Sequence, residues 1–271
     1  MEKTIFEKAG NPLACRELEF VSRFWEPEET QIEFSKSFYF GVEESADIIN
    51  LIGKDYDYYV KYRNMNLKRI DNFATEIRNC ITRKSRVLDL GCGLGQIGYR
   101  LQQMGHDVTG IDYNSKNVSM GQKILSELGS KMTLQLGDAL GNEFHDQSFD
   151  VIVSCDVIEH IPHQELFLNN IYRMLSPGGT AFIGTDNELR VRLGVWVRRM
   201  FCLFFLKNPF KWKHAWADME GGHCALITPR KLYYQAIKSG FKNCRIKFYE
   251  GLFPLGDAIF STKFVFIGEK T

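Results

Sequence analysis

Long apolar runs, paired cysteines and an excess of one charge are all missing from this chain of 271 residues. A membrane-spanning helix needs about 18 or more consecutive apolar residues, and no stretch approaches that. The seven cysteines, at 15, 80, 92, 155, 202, 224 and 244, form no CxxC pair and show no metal-finger spacing. Such a dispersed, odd set is expected of reduced thiols in a cytoplasm-like compartment. Lys and Arg total 34 against 33 Asp and Glu, a net charge of +1. No global field therefore draws the protein to nucleic acid, although a local basic patch is not excluded by this balance. The opening MEKTIFEKAG carries charges and no apolar stretch, so no secretory leader is expected. The reading is a soluble, cytoplasmic chain.

What is present is ordinary globular material, 44% hydrophobic and 25% charged, long enough to bury a sizeable core. Residues 1–80 are polar and aromatic, without strong strand signals, and 1–83 is expected to form an N-terminal extension. Ser45–Ile52 and Met65–Ile77 place apolar residues at helical spacing, Leu67, Ile70, Phe73, Ala74 and Ile77 among them, which predicts a helical cap. From Lys84 the texture changes. Short apolar runs at Arg86–Gly91, Asp107–Asp112, Lys131–Leu136, Phe149–Ser154 and Thr180–Thr185 read as strands. Between them Gln96–Met104, Ser115–Leu128 and Glu165–Leu175 read as helices. Alternation of this kind predicts an α/β domain with a parallel sheet over 84–271. Pro177-Gly178-Gly179 reads as a turn into the fifth strand. Thr228 and Pro229 open a further helix, Arg230–Ser239, with Gly240 ending it. Asn243–Tyr249 and Lys263–Gly268 follow as two strands, the second antiparallel.

The strongest chemical signal is Asp89-Leu90-Gly91-Cys92-Gly93-Leu94-Gly95. Alternate glycines let a backbone turn sharply and approach a ligand where a Cβ would collide. The helix that follows offers backbone N–H groups to polar ligand atoms. Asp112 ends the second strand, where a carboxylate can accept from ribose hydroxyls. A nicotinamide dehydrogenase would share that pairing, but its third glycine comes one residue later, as GxGxxG. Here the spacing is GxGxG, an acidic residue precedes the loop, and no P-loop lysine follows.

VLDLGCGLG, then GID, Gly137-Asp138-Ala139, FDVIVSCDVIEHI at Phe149–Ile161 and LSPGGTAFIGT at Leu175–Thr185 arrive in an order that resembles the class I S-adenosylmethionine-dependent methyltransferases. The small-molecule O-methyltransferases of ubiquinone biosynthesis are the most similar, over about residues 60–271. The resemblance implies a Rossmann-like fold: a seven-stranded, mostly parallel sheet with helices on both faces, an antiparallel last strand, an N-terminal helical cap and a helical lid insertion. It also implies S-adenosylmethionine as donor and S-adenosylhomocysteine as product. Gly91, Cys92, Gly93 and Gly95 would cradle the methionine part, with Asp89 near its amino group and Arg69 clamping its carboxylate. Asp112 would hold the ribose and Tyr113 the adenine face. Asp138 and Ala139 would flank the adenine amino group, and Cys155 would border the transfer site.

For methyl transfer to a hydroxyl, the protein positions the acceptor and removes a proton. His160 after the fourth strand is the first candidate base, with a structural brace as its plain alternative. His223, just before Thr228, is the second. Asp156, Glu159 and His160 together also form a candidate divalent-cation set. His163 and Trp196 are candidate acceptor contacts.

Residues 189–222 form an insertion, and its 189–217 stretch holds seven basic residues, no acidic one and three tryptophans, Trp196, Trp212 and Trp216. Leu193, Trp196, Val197, Met200 and Phe204 follow helical spacing. Two readings stand: an acceptor lid whose arginines reach out to water, or a helix lying on an anionic membrane surface with a lipid-like acceptor. Two functional alternatives also stand beside a small-molecule methyltransferase. One is a donor-binding scaffold without turnover. The other is an RNA or protein methyltransferase, disfavoured because Ser154-Cys155-Asp156-Val157 lacks the prolines of the nucleic-acid tetrad.

Overall fold

The computed structural model describes residues 28–204, 225–249 and 261–271. Its elements run α1 (Glu28–Phe40), α2 (Ala46–Ile52), α3 (Tyr56–Cys80), β1 (Arg86–Leu90), α4 (Gln96–Gln103), β2 (Asp107–Asp112), α5 (Ser115–Glu127), β3 (Thr133–Leu136), β4 (Phe149–Cys155), α6 (Gln164–Met174), β5 (Leu175–Asp186), α7 (Glu188–Phe204), α8 (Pro229–Lys238), β6 (Lys242–Tyr249) and β7 (Lys263–Glu269). The strands form one sheet in the order β3-β2-β1-β4-β5-β7-β6. β1 pairs in parallel with β2 and β4, and β2 with β3. β7 runs antiparallel to both neighbours, β5 and β6. The expected mixed α/β sheet with an antiparallel last strand is thus present. No helix among the described residues is long and apolar enough to cross a membrane.

The described part of Ser22–Val153 is one compact unit. β1 buries Val87, Leu88 and Leu90, as a parallel strand covered on both faces must. The chain leaves β1 toward β2 and β3 on one side, while β4 lies on the other. The carboxyl end of β1 is therefore the topological switch point, where open α/β sheets bind ligands.

The cap is larger than its periodicity predicts. α1 was not foreseen, because two of its inward positions are Ser35 and Ser37 rather than apolar residues. Their burial is made tolerable by hydrogen bonds. Tyr59 Oη donates to Ser37 Oγ at 2.5 Å, and Ser37 Oγ donates to Glu44 Oε1 at 3.0 Å. Phe34 packs on Tyr59 with ring centroids 5.6 Å apart. α3 starts at Tyr56, nine residues before the predicted start at Met65. Arg100 fastens the cap to α4 through Asp71 at 3.0 Å and the Phe40 carbonyl at 3.3 Å.

The second compact unit includes the described part of Ser154–Thr271. Thr228 caps α8, its hydroxyl accepting from Lys231 N at 3.1 Å, with Pro229 opening the helix. Pro177-Gly178-Gly179 is not a turn before a short strand. β5 begins at Leu175, and the ladder to the C-terminus continues through the glycines. Gly178 N donates to Lys270 O at 2.6 Å, and Lys270 N to Gly179 O at 2.9 Å.

Gly95 has a φ of +87°, and a Cβ there would sit 2.9 Å from Leu134 Cδ1 and 3.2 Å from Leu125 Cδ1. Gly95→Ala combines left-handed strain with overpacking, so we expect a loss on the order of 1–3 kcal/mol. Thermal or urea denaturation measures it, and a melt matching the parent's would contradict the packing described.

Candidate functional site

β1 delivers the chain to its carboxyl edge at Leu90, and the glycine loop crosses the end of β2. Gly91 N and Cys92 N both donate to Ile111 O, at 2.8 and 2.9 Å. Asp112, the last residue of β2, is buried. Its Oδ2 accepts from Gly93 N and its Oδ1 from Asn114 N, each at 2.9 Å. This carboxylate thus fixes the loop as well as standing at the strand end. Gly137 N donates to Asp112 O at 3.0 Å, which brings the Asp138-Ala139 segment to the same edge. Asp138 is exposed there, its Oδ1 accepting from Leu140 N at 2.9 Å. Tyr113 is 82% exposed beside Asp112.

Asp89 lies deeper than expected. It is 2% exposed, and its Oδ2 accepts from Gly98 N in the first turn of α4 at 2.9 Å. Burial, with the Asp112 charge adding to it, pushes its carboxyl up to about 7. Burial also raises the Cys92 thiol, and the charges of Asp89 and Asp112 add to that, so this sulfur is no nucleophile. Arg69 lies half-buried on α3. Burial raises the Tyr39 hydroxyl, and the Arg69 charge opposes that rise.

In the second unit, Cys155 ends β4 half-buried. Asp156 then turns with a left-handed φ of +59°, its N donating to Gly184 O at 2.9 Å. Lys263 Nζ bridges Asp156 Oδ1 at 2.6 Å and Asp186 Oδ1 at 2.9 Å. Glu159 is fully buried and accepts from Thr185 Oγ1 at 2.8 Å. Burial, then the neighbouring Asp156 charge, pushes its carboxyl up to about 8. His160 is exposed, closing a single 3-10 turn through its N–H to Val157 O at 2.9 Å. His163 is exposed at the start of α6, its carbonyl accepting from Phe167 N at 3.2 Å.

The candidate cation set Asp156, Glu159 and His160 does not converge. Lys263 already neutralises Asp156, Glu159 faces Thr185, and His160 faces solvent. Among the described residues no group of three or more His, Cys, Asp or Glu side chains could hold a metal ion. Trp196 is 60% exposed on α7, with Met200, Leu203 and Phe204 also exposed. His223, and the insertion beyond Phe204, lie outside the described residues. Lys263 and Asp186 were not foreseen. They meet because the antiparallel register sets Asp186 directly opposite Lys263, a pairing no local motif announces.

Residues 81–208 match the family model described as a methyltransferase domain. That stretch, just under half of the chain, is what this chain shares with the family. A ubiquinone biosynthesis O-methyltransferase from Agrobacterium fabrum is 31% identical over 157 residues, 57% of this chain. The chain spans only 58% of that relative's length. A solved S-adenosylmethionine-dependent methyltransferase from Methanosarcina mazei superposes with a TM-score of 0.53 at 23% identity, covering 72% of this chain and 96% of that one. The [4+2]-cyclase SpnF also shares the fold, with a TM-score of 0.53 at 13% identity, 74% of this chain and 80% of that one. The chain thus shares the fold of these solved structures, and the fold alone does not fix the reaction.

The raised Asp89 carboxyl has a thermodynamic consequence. Between its unfolded value near 4 and about 7, the folded chain holds a proton that the unfolded chain has lost. Stability therefore falls as pH rises through that window. Asp89→Asn cannot ionise, so without ligand its melting temperature should exceed the parent's above about pH 7, and the gap should narrow toward about pH 5. Melting curves that keep a constant offset across this range would contradict a carboxyl buried and shifted in this way.

Proposed function

We propose that this chain transfers a methyl group from S-adenosylmethionine to a hydroxyl of a small or lipid-like acceptor. The observation that carries the proposal is Asp112 pinning Gly93 at the switch point. Each Asp112 oxygen takes one backbone N–H, which leaves acceptor positions for the two ribose hydroxyls of a nucleoside. Bound there, the donor supplies a methyl group made electrophilic by its sulfonium.

The residues hold rather than react. Gly91, Cys92, Gly93 and Gly95 carry the methionine part, near Asp89, with Arg69 for its carboxylate. Tyr113 lies against the adenine, and Asp138 and Ala139 flank its amino group. Cys155 borders the transfer site, where His160 takes the hydroxyl proton as a general base. His223, His163 and Trp196 are further acceptor-side candidates. Ubiquinone O-methyltransferases among the relatives support a hydroxyl acceptor. The specific alternative is a chain that binds the donor without methylating, which the shared fold of a cyclase keeps in view.

We also propose that the α7 face bearing Trp196, Met200, Leu203 and Phe204 makes peripheral contact with an anionic membrane or serves as a lid over a lipid-like acceptor. Its exposed apolar side chains and neighbouring Arg190, Arg192 and Arg199 support this.

Asp112→Ala should weaken S-adenosylhomocysteine binding by about 100-fold or more in calorimetric titration, and retained affinity would sink the site. His160→Ala should keep donor affinity while turnover on an acceptor panel falls about 100-fold or more. Unchanged turnover would make His160 a brace. In vesicle sedimentation the chain should bind phosphatidylglycerol-rich membranes, less so at high salt or after Trp196→Ala. Equal behaviour on neutral phosphatidylcholine would remove the anionic-surface reading.

A further inference from the structure

Two segments are assigned above to the acceptor side, the turn that carries His160 and the helix α7. They leave the sheet from neighbouring strands, β4 and β5. Both are fastened to residues 261–263, where β7 begins. Lys263 Nζ reaches Asp156 Oδ1, at the opening of the turn, and Asp186 Oδ1, at the end of β5 just before α7. Asn187 stands between Asp186 and α7 and is fully buried. Its N donates to Thr262 O at 2.8 Å and its Nδ2 to Ser261 O at 3.0 Å. Its Oδ1 accepts from Leu189 N at 3.2 Å, as a cap on the first turn of α7 does.

The bridge is enclosed, with the Lys263 side chain 15% exposed and that of Asp186 9%. Removing charges from water offsets much of what their attraction returns, so a buried ion cluster adds little net stability. Asp156 moreover holds a left-handed backbone, φ +59°, at the same point. What the cluster does supply is one fixed arrangement of two strand ends, because a single ammonium can donate to several acceptors at once. Resting on the transfer reading above, we propose that Lys263 is the positioning residue of the acceptor side, setting the His160 turn and the start of α7 together. It acts through the backbone of both segments. The glycine loop is held by other groups, Asp112 on Gly93 N and Asp89 on Gly98 N, so a change at Lys263 should spare the donor.

The test compares the parent, Lys263→Met, Lys263→Arg and Asp156→Asn well below their melting temperatures, by hydrogen exchange with mass spectrometry and by turnover on the acceptor panel. In Lys263→Met, peptides covering 156–163 and 187–193 should lose protection together, while those covering 89–98 keep it. Its turnover should fall about 100-fold, as a misplaced base and lid would cause, with S-adenosylhomocysteine affinity within about twofold of the parent. Lys263→Arg keeps the charge and should bring turnover back to within about 10-fold of the parent. Asp156→Asn tolerates the left-handed turn but loses the ion pair. It should shift protection and turnover in the same direction as Lys263→Met, and it carries the test if that variant does not fold. Protection lost in one segment alone, parent-like turnover in Lys263→Met, no recovery in Lys263→Arg, or donor affinity lost in step with turnover would overturn the assignment. A parent that binds S-adenosylhomocysteine but methylates nothing on the panel would instead overturn the transfer reading, and this positioning role with it.

Discussion

The buried carboxylate of Asp112 is the constraint on which the loop geometry depends. One side chain holds Gly93 N with one oxygen and Asn114 N with the other. Asn114 in turn caps α5, its Oδ1 accepting from Lys116 N at 3.0 Å and Asn117 N at 3.4 Å. The glycine loop, the end of β2 and the start of α5 are therefore tied to a single group. Burying a carboxylate is unfavourable unless its oxygens are satisfied, and here backbone N–H groups supply that. Asp89 lies beneath the same loop with its carboxyl pushed up to about 7. Under the proposed donor reading, this acidic cluster would suit a ligand with cationic character, which a sulfonium and an α-ammonium both provide.

A comparable device organises the second unit. Lys263 stands between Asp156 and Asp186, at the ends of β4 and β5. Asp156 adopts its left-handed turn there, a conformation that aspartate tolerates better than most residues. The ammonium holds two carboxylates that would otherwise repel each other, while Glu159 is buried behind them. This ionic lock accounts for why the acidic, histidine-containing segment, which suggests a cation site by composition, forms no converging ligand set among the described residues.

The site motifs were legible because backbone geometry restricts them. A GxGxG turn, an acid at the end of the next strand and a Thr-Pro helix start each demand particular residue types, and each was found where its motif stands. α1 was illegible because Ser35 and Ser37 are inward-facing and satisfied by tertiary hydrogen bonds, so the apolar periodicity is broken on its buried face. Lys263 escaped because its role arises from the β5–β7 register across 77 positions of sequence. Asp89 was placed near the donor by motif, but its depth and its bond to Gly98 depend on how α4 packs.

The proposed donor cradle is the glycine loop held by Asp112. Diffraction from crystals of the chain grown with S-adenosylhomocysteine tests this most directly. Ribose hydroxyls on the Asp112 carboxylate are expected, with the methionine part at the glycine loop and the Gly93 N to Asp112 bond retained. A nucleoside bound elsewhere, or a loop that must release Asp112 to admit it, would contradict the account.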